Sequence, residues 1–224
     1  MSDPMYTPLS GPQDTTSAIA AIGVVAILRA PTSQYLGAVA ATLIQAGICA
    51  IEVTLTVPGA LASIAKLSKT YGHEALIGAG TVVTADQAEA CIDAGAIFLV
   101  SPTASLDVIA AARIAGVAVY PGAFTPTEIL ATHRAGASAV KLFPASAVRP
   151  RFIADIHGPL PDIAIIPTGG IAIDDVGAWI KAGAAAVGLG GALLGDAGTR
   201  GVDAGLEARA RRALDGVAAA RDVR

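Results

Sequence analysis

The chain is poor in charge, in aromatic residues and in lysine. Of its 224 residues only 15% are charged and 4% aromatic, and the net charge is −3. No basic stripe is present, which argues against nucleic acid or an anionic membrane as a partner. Cysteine is limited to Cys49 and Cys91. Their spacing fits neither a metal site nor a redox pair, so both read as small buried hydrophobes and nothing calls for an oxidising compartment. No apolar run approaches the ~18 uninterrupted residues of a membrane helix. The stretch Met1 to Pro12 is polar and proline-rich, without the basic and hydrophobic regions of a secretory signal. The expected location is therefore the cytoplasm. His73, His133 and His157 fall in helix or loop segments, and none pairs with a carboxylate at ligand spacing. They read as surface or structural residues, and no metal is expected.

What the chain does have is a 54% hydrophobic content dominated by alanine, valine, isoleucine and glycine. Eight apolar runs read as strands: Val24 to Leu28 closed by Arg29, Ala50–Leu55, Leu76–Ala79, Ile97–Val100, Val117–Tyr120, Ala139–Phe143, Ile163–Ile166 and Ala185–Leu189. Runs without polar alternation belong in a parallel sheet covered on both faces. Five are preceded by Ala-Gly, ending at Gly47, Gly95, Gly116, Gly136 and Gly183, where glycine suits the left-handed end of a helix. Seven runs are followed by a helical pattern of about ten residues or more, the weakest being Arg151–His157. A helix over Ser33 to Gln45 is expected to be capped by Thr32 or Ser33, and a last helix to cover Val202 to about Val217. The pattern predicts an α/β fold, a single-domain (β/α)8 TIM barrel over residues 15–220 after a flexible N-terminal arm of residues 1–14. A doubly wound sheet would want a glycine fingerprint after the first strand, and Leu28-Arg29-Ala30-Pro31 has none.

A barrel of this type gathers its chemistry at the C-terminal ends of its strands. Lysine occurs only at 66, 69, 141 and 181, and only Lys141 stands inside an apolar run. There an ammonium is costly to desolvate, and a free amine can attack a carbonyl. The plain alternative is a lysine snorkelling from a strand end. Glu52 is the one acidic residue within a strand-like run. It is either half of a structural ion pair or a general acid/base with a raised pKa beside the amine. Phe143 falls on the same side of its strand as Lys141, as core or as the apolar wall of a substrate pocket. The pairs Gly169-Gly170 and Gly190-Gly191 stand after the last two runs, where barrels bind phosphate through bare backbone N–H groups.

Taken in order, Ala26-Ile27-Leu28-Arg29, Glu52-Val53-Thr54-Leu55, Gly78-Ala79-Gly80-Thr81-Val82, Ser101-Pro102, Tyr120-Pro121-Gly122, Lys141-Leu142-Phe143-Pro144 and Pro167-Thr168-Gly169-Gly170 closely resemble the class I aldolases of 2-keto-3-deoxy-6-phospho sugar acids. The resemblance implies a (β/α)8 barrel and a homotrimer. It implies Lys141 as the Schiff-base lysine and Glu52 as the acid/base. It further implies Arg29, Thr81 and the glycines Gly169, Gly170, Gly190 and Gly191 as substrate binders, with Pro102 and Phe143 lining the pyruvate end. The expected activity is cleavage of 2-dehydro-3-deoxy-6-phosphogalactonate to pyruvate and D-glyceraldehyde 3-phosphate, through an iminium that needs no cofactor. Thr56 stands where gluconate-type members carry arginine, an arginine that galactonate-type members also lack. Gly191 stands where many members carry serine. Pro167-Thr168-Gly169-Gly170 is closer to the gluconate branch. The alternatives are a 2-dehydro-3-deoxy-6-phosphogluconate or 4-hydroxy-2-oxoglutarate aldolase, a phosphate-binding isomerase or epimerase, and a non-catalytic phosphosugar-binding protein.

Overall fold

The computed structural model describes residues 11–222. Among the described residues nine strands are separated by helices, except for two that flank Pro121. They are β1 (Val24–Leu28), β2 (Ala50–Thr54), β3 (Leu76–Gly80), β4 (Phe98–Val100), β5 (Ala118–Tyr120), β6 (Gly122–Ala123), β7 (Val140–Leu142), β8 (Ile165–Pro167) and β9 (Val187–Leu189). Every strand pair is parallel, in the orders β5-β4-β3-β2-β1-β9 and β6-β7-β8. The eight expected runs are all present. The fifth, expected to end at Tyr120, is continued as a short extra strand beyond Pro121, which has no N–H for the ladder. Before the proline the chain pairs with β4, and after it with β7. Hydrogen bonds also run between the two groups of strands. Val119 O accepts from Ser138 N–H and Pro121 O from Lys141 N–H, at 2.9 Å each. On the other side Ile165 O accepts from Ala185 N–H, and Thr168 bridges Gly188 in parallel.

The strand residues are buried throughout, as the continuous apolar runs require. Side chains alternate between the two faces of a strand, and the apolar core accordingly divides in two. The larger part lies between the sheet and the helices. The smaller lies on the opposite face and gathers Val25, Ala50, Leu76, Phe98, Ala118, Tyr120, Ala139, Ile166 and Ala186 from successive strands. A helix over Pro12–Ile22 closes this inner core from below, with Ile19 fully buried in it and Thr16 Oγ1 bonded to the Tyr120 hydroxyl at 3.2 Å. That helix begins at Pro12, a residue pre-shaped for a first helical turn, so it takes in residues 12–14 of the expected arm. Residues 1–10 of that arm lie outside the described residues.

The glycines after alanine behave as their spacing suggests: Gly47, Gly95, Gly116, Gly136 and Gly183 all have positive φ. Other boundaries move. The second helix starts at Leu36 rather than Ser33, with no side-chain cap from Thr32 or Ser33. The helix Arg151–His157 is as short as expected, but the helix after β8 is shorter still, Val176–Lys181 behind a 3-10 turn. The last helix runs over Leu206–Arg221, because Asp203 and Gly205 form a turn ahead of it. Trp179 packs in the outer core, between sheet and helices. His157 binds Ile163 O at 3.0 Å and is structural. No helix among the described residues is long and apolar enough to cross a membrane.

Phe98 and Tyr120 are the bulky residues of the inner face, with ring centroids 5.7 Å apart. They fit because Gly78 has no side chain: a Cβ there would lie 2.4 Å from the Phe98 ring. Overfilling a packed core of this kind costs about 1–3 kcal/mol. Gly78→Ala is expected to lower the unfolding free energy by that amount, seen in equilibrium urea unfolding as a lower midpoint at an unchanged m-value.

Candidate active site

The alternation that builds the inner core also builds the site. Ala50 and Ala139 face inward near the lower end of their strands. Two residues further up, on the same face, stand Glu52 and Lys141. They line one small chamber with Val25, Val100, Tyr120, Ile166, Thr168 and Gly188. Its volume is about 10 Å³, roughly enough for one water molecule. Glu52 is 2% and Lys141 6% exposed. The structure brings the two to one chamber, but not as an ion pair: among the described residues neither takes part in one at 4.0 Å or less. The Lys141 ammonium position instead lies over the Phe143 ring, 5.1 Å from its centroid.

Burial pushes the Glu52 carboxyl above the usual carboxylate range, and the charges of Lys141 and Arg29 only partly oppose it. The carboxyl has its place because Gly80 on the neighbouring strand is bare. A Cβ at Gly80 would lie 1.8 Å from Glu52 Oε1. The glycine of this Gly78-Ala79-Gly80 strand is thus a steric requirement of the acid beside it. Thr81 follows with a φ of 61°, the one non-glycine residue among those described with positive φ. Such a conformation costs on the order of 1–3 kcal/mol. It turns the Thr81 hydroxyl to accept from the Arg29 guanidinium at 3.4 Å, at the exposed mouth of the chamber.

The remaining residues named from sequence are divided between two places. Phe143 is 36% exposed and packs on Gly169, where a Cβ would come within 3.0 Å of the ring. Pro102 stands with its carbonyl against Gly122, the partner of Lys141 in the sheet register. Gly170 belongs elsewhere. Together with Gly188, Gly190 and Gly191 it lines an open pocket of about 430 Å³, with Ile171, Ala172 and Ala192. The Gly169-Gly170 pair is therefore split, one glycine against the aromatic wall and one in the glycine pocket. Thr56 is exposed, and its hydroxyl meets that of Thr54 at 2.9 Å. Among the described residues no group of three or more His, Cys, Asp or Glu could hold a metal ion.

Sequence reading overlooked two polar residues of the chamber, Thr168 and Tyr120. Both carried a signal in their parity, since each stands two residues beyond an inward-facing one, Ile166 and Ala118. Thr168 is buried, and its hydroxyl donates weakly to Ile166 O at 3.4 Å. Tyr120 is turned down toward Thr16, and burial raises the pKa of its phenol.

Comparison with known proteins gives the family. The family model "KDPG and KHG aldolase" matches residues 16–204. The 2-dehydro-3-deoxy-6-phosphogalactonate aldolase of Escherichia coli (strain K12) is 39% identical over 170 residues, 75% of this chain and 83% of the relative. A solved structure of native KDPGal is 34% identical with a TM-score of 0.77, covering 89% of this chain and 94% of that one. The KDPG aldolase of Legionella pneumophila, solved with pyruvate captured as a covalent carbinolamine intermediate, is 26% identical with a TM-score of 0.75, covering 94% of this chain and 98% of that one. By the extent of these matches the chain belongs to the KDPG and KHG aldolase family.

Proposed function

We propose that this chain is a class I aldolase that cleaves 2-dehydro-3-deoxy-6-phosphogalactonate to pyruvate and D-glyceraldehyde 3-phosphate. The observation that carries the reading is the chamber shared by Lys141 and Glu52, in which the amine is buried without being tied into an ion pair. The Lys141 amine attacks the C2 ketone, and loss of water from the carbinolamine leaves an iminium. Glu52, through one water in the chamber, takes the proton of the C4 hydroxyl. The C3–C4 bond breaks, its electrons pass into the iminium as an enamine, and the aldehyde departs. Protonation of the enamine and hydrolysis return Lys141 and release pyruvate. The electron sink is made from the lysine itself, so the scheme uses no cofactor.

The other roles follow from position. Arg29 and Thr81 hold the substrate carboxylate at the mouth, where the strained Thr81 backbone aims one hydroxyl. Pro102 and Phe143, with Gly169 behind the ring, wall the pyruvate end. Gly170, Gly190 and Gly191 offer backbone N–H groups to the phosphate, with no serine hydroxyl at 191. The closed (β/α)8 barrel belongs to the same proposal. It is supported by the hydrogen bonds from Ser138 and Lys141 to the β5–β6 strand, and by those joining β8 to β9. A cytoplasmic homotrimer completes it. Leu61, Val83 and Leu106 are exposed apolar residues on the connections after the neighbouring strands β2, β3 and β4, a suitable surface for contact between copies.

The segment Pro167-Thr168-Gly169-Gly170, closer to the gluconate branch, supports a second reading, 2-dehydro-3-deoxy-6-phosphogluconate as substrate. The two substrates differ only in configuration at C4, and the buried Thr168 hydroxyl lines the chamber beside Lys141 and Glu52, where one positioned hydrogen-bond partner can discriminate them.

Incubation with pyruvate followed by borohydride is expected to add one adduct, mapped by mass spectrometry to Lys141. No adduct, or one on Lys66 or Lys181, would overturn the mechanism. Lys141→Ala should fold and be inactive, whereas Glu52→Gln should still be trapped by pyruvate but turn over roughly a hundredfold or more slowly. The proton-accepting form of Glu52 is the carboxylate, and its pKa is raised. The acidic limb of kcat/KM should therefore lie above the ordinary carboxylate range, rising with pH, and should vanish in Glu52→Gln. Assays of both phosphorylated epimers, coupled to lactate dehydrogenase, are expected to give the higher kcat/KM with the galactonate form; a preference for the gluconate form would select the second reading. A sizing measurement should return about three times the 22.1 kDa of the chain.

A further inference from the structure

Beyond β9 the chain forms a helix of only four residues, Gly191–Leu194. Its N-terminal glycines open on the pocket of about 430 Å³ shared with Gly170 and Gly188. Its other end is held by one side chain. Arg209, on the C-terminal helix, donates from Nε to Leu193 O at 2.7 Å and from a terminal nitrogen to Leu194 O at 3.0 Å. The same guanidinium is gripped from behind by Asp203, at 3.0 and 2.8 Å to its two carboxylate oxygens. Asp203 Oδ1 also accepts from Gly205 N–H at 2.7 Å. The guanidinium holds the Asp203 carboxyl below its usual range.

The slot is shaped for this group. A Cβ at Gly205 would lie 2.6 Å from one terminal nitrogen of Arg209, and a Cβ at Gly195 3.2 Å from the other. Two further arginines reach helix-end carbonyls, Arg113 to Ala135 O and Arg221 to Ala20 O and Ala21 O, but all three bonds are exposed. Arg209 differs in being braced by a carboxylate with its side chain 27% exposed. A turn of four residues is too short to hold its own shape. Leu193 and Leu194 anchor it by burial, and the fork of Arg209 fixes its rotation through two carbonyls at once.

We propose that Arg209, braced by Asp203, is a positioning residue for phosphate recognition: it acts from the rear of the Gly191–Leu194 turn to keep the Gly190–Gly191 backbone aimed at the substrate phosphate. This rests on the reading of the glycine pocket as the phosphate end of the site. Arg209 touches neither Lys141 nor the chamber. Its loss should therefore be felt in the binding of a phosphorylated substrate and not in the chemistry at C2.

The test compares the wild type with Arg209→Gln and Arg209→Lys on the phosphorylated keto acid that the wild type turns over best, on unphosphorylated 4-hydroxy-2-oxoglutarate, and in borohydride trapping with pyruvate. In Arg209→Gln the KM for the phosphorylated substrate is expected to rise roughly tenfold or more. The values with the unphosphorylated substrate and the trapping rate should stay within about twofold of wild type. Arg209→Lys, which keeps the charge but not the fork, should fall between the two, and it carries the same test if the glutamine variant does not fold. An unchanged KM, or an equal loss on both substrates, would overturn the assignment. A wild type that gains nothing from the phosphate would overturn the phosphate pocket itself, and this inference with it.

Discussion

Two ionisable groups buried on one face of an otherwise apolar sheet, close but not joined, are the constraint around which this molecule is arranged. Desolvating a carboxyl or an amine costs several kcal/mol, and the usual remedy is a tight ion pair. Glu52 and Lys141 do not form one at 4.0 Å or less. They share instead a chamber of about 10 Å³, and the carboxyl responds to its burial by holding its proton more firmly. In the proposed reaction this leaves the lysine free to attack and the acid able to exchange a proton near it, a combination that a closed ion pair would forbid.

Room for the pair is made by residues with little or no side chain. Ala50 and Ala139 stand beneath them on the same strands, while Gly80 and Gly188 clear the space beside Glu52 and Thr168. Phe98 and Tyr120 then fill the floor, with Gly78 yielding to the first and the N-terminal helix meeting the second through Thr16. The scarcity of aromatics is therefore informative. A face lined mainly by alanine, valine and glycine can take two large rings at the bottom and still leave a reactive space above them.

The glycines after β8 and β9 do different work. Gly169 lies under the Phe143 ring, whereas Gly170, Gly190 and Gly191 open on a separate pocket. The Lys141–Glu52 chamber and the glycine pocket are thus adjacent but supported separately, the first by the inner core of the sheet and the second by Arg209 on the C-terminal helix. Under the proposed function, such a division lets grip on a remote part of the substrate be set independently of the reacting centre.

The sequence alone determined the succession of parallel strands, since runs such as Val24–Leu28 and Ala50–Thr54 tolerate no water on either face, and the Ala-Gly endings fall where glycine is needed for positive φ. It also singled out Lys141 and Glu52, because an ionisable group inside such a run is costly and therefore conspicuous. It could not show that the fifth run changes neighbours at Pro121, that Thr168 joins the chamber, or that the Gly169-Gly170 pair divides. Nor did it point to Arg209, which as an exposed-looking arginine on an amphipathic helix resembles its neighbours Arg211 and Arg212. Those matters were decided by tertiary structure. Whether a hydroxyl or a guanidinium has a partner depends on which distant backbone the packing brings to it, and local patterning carries no record of that distance.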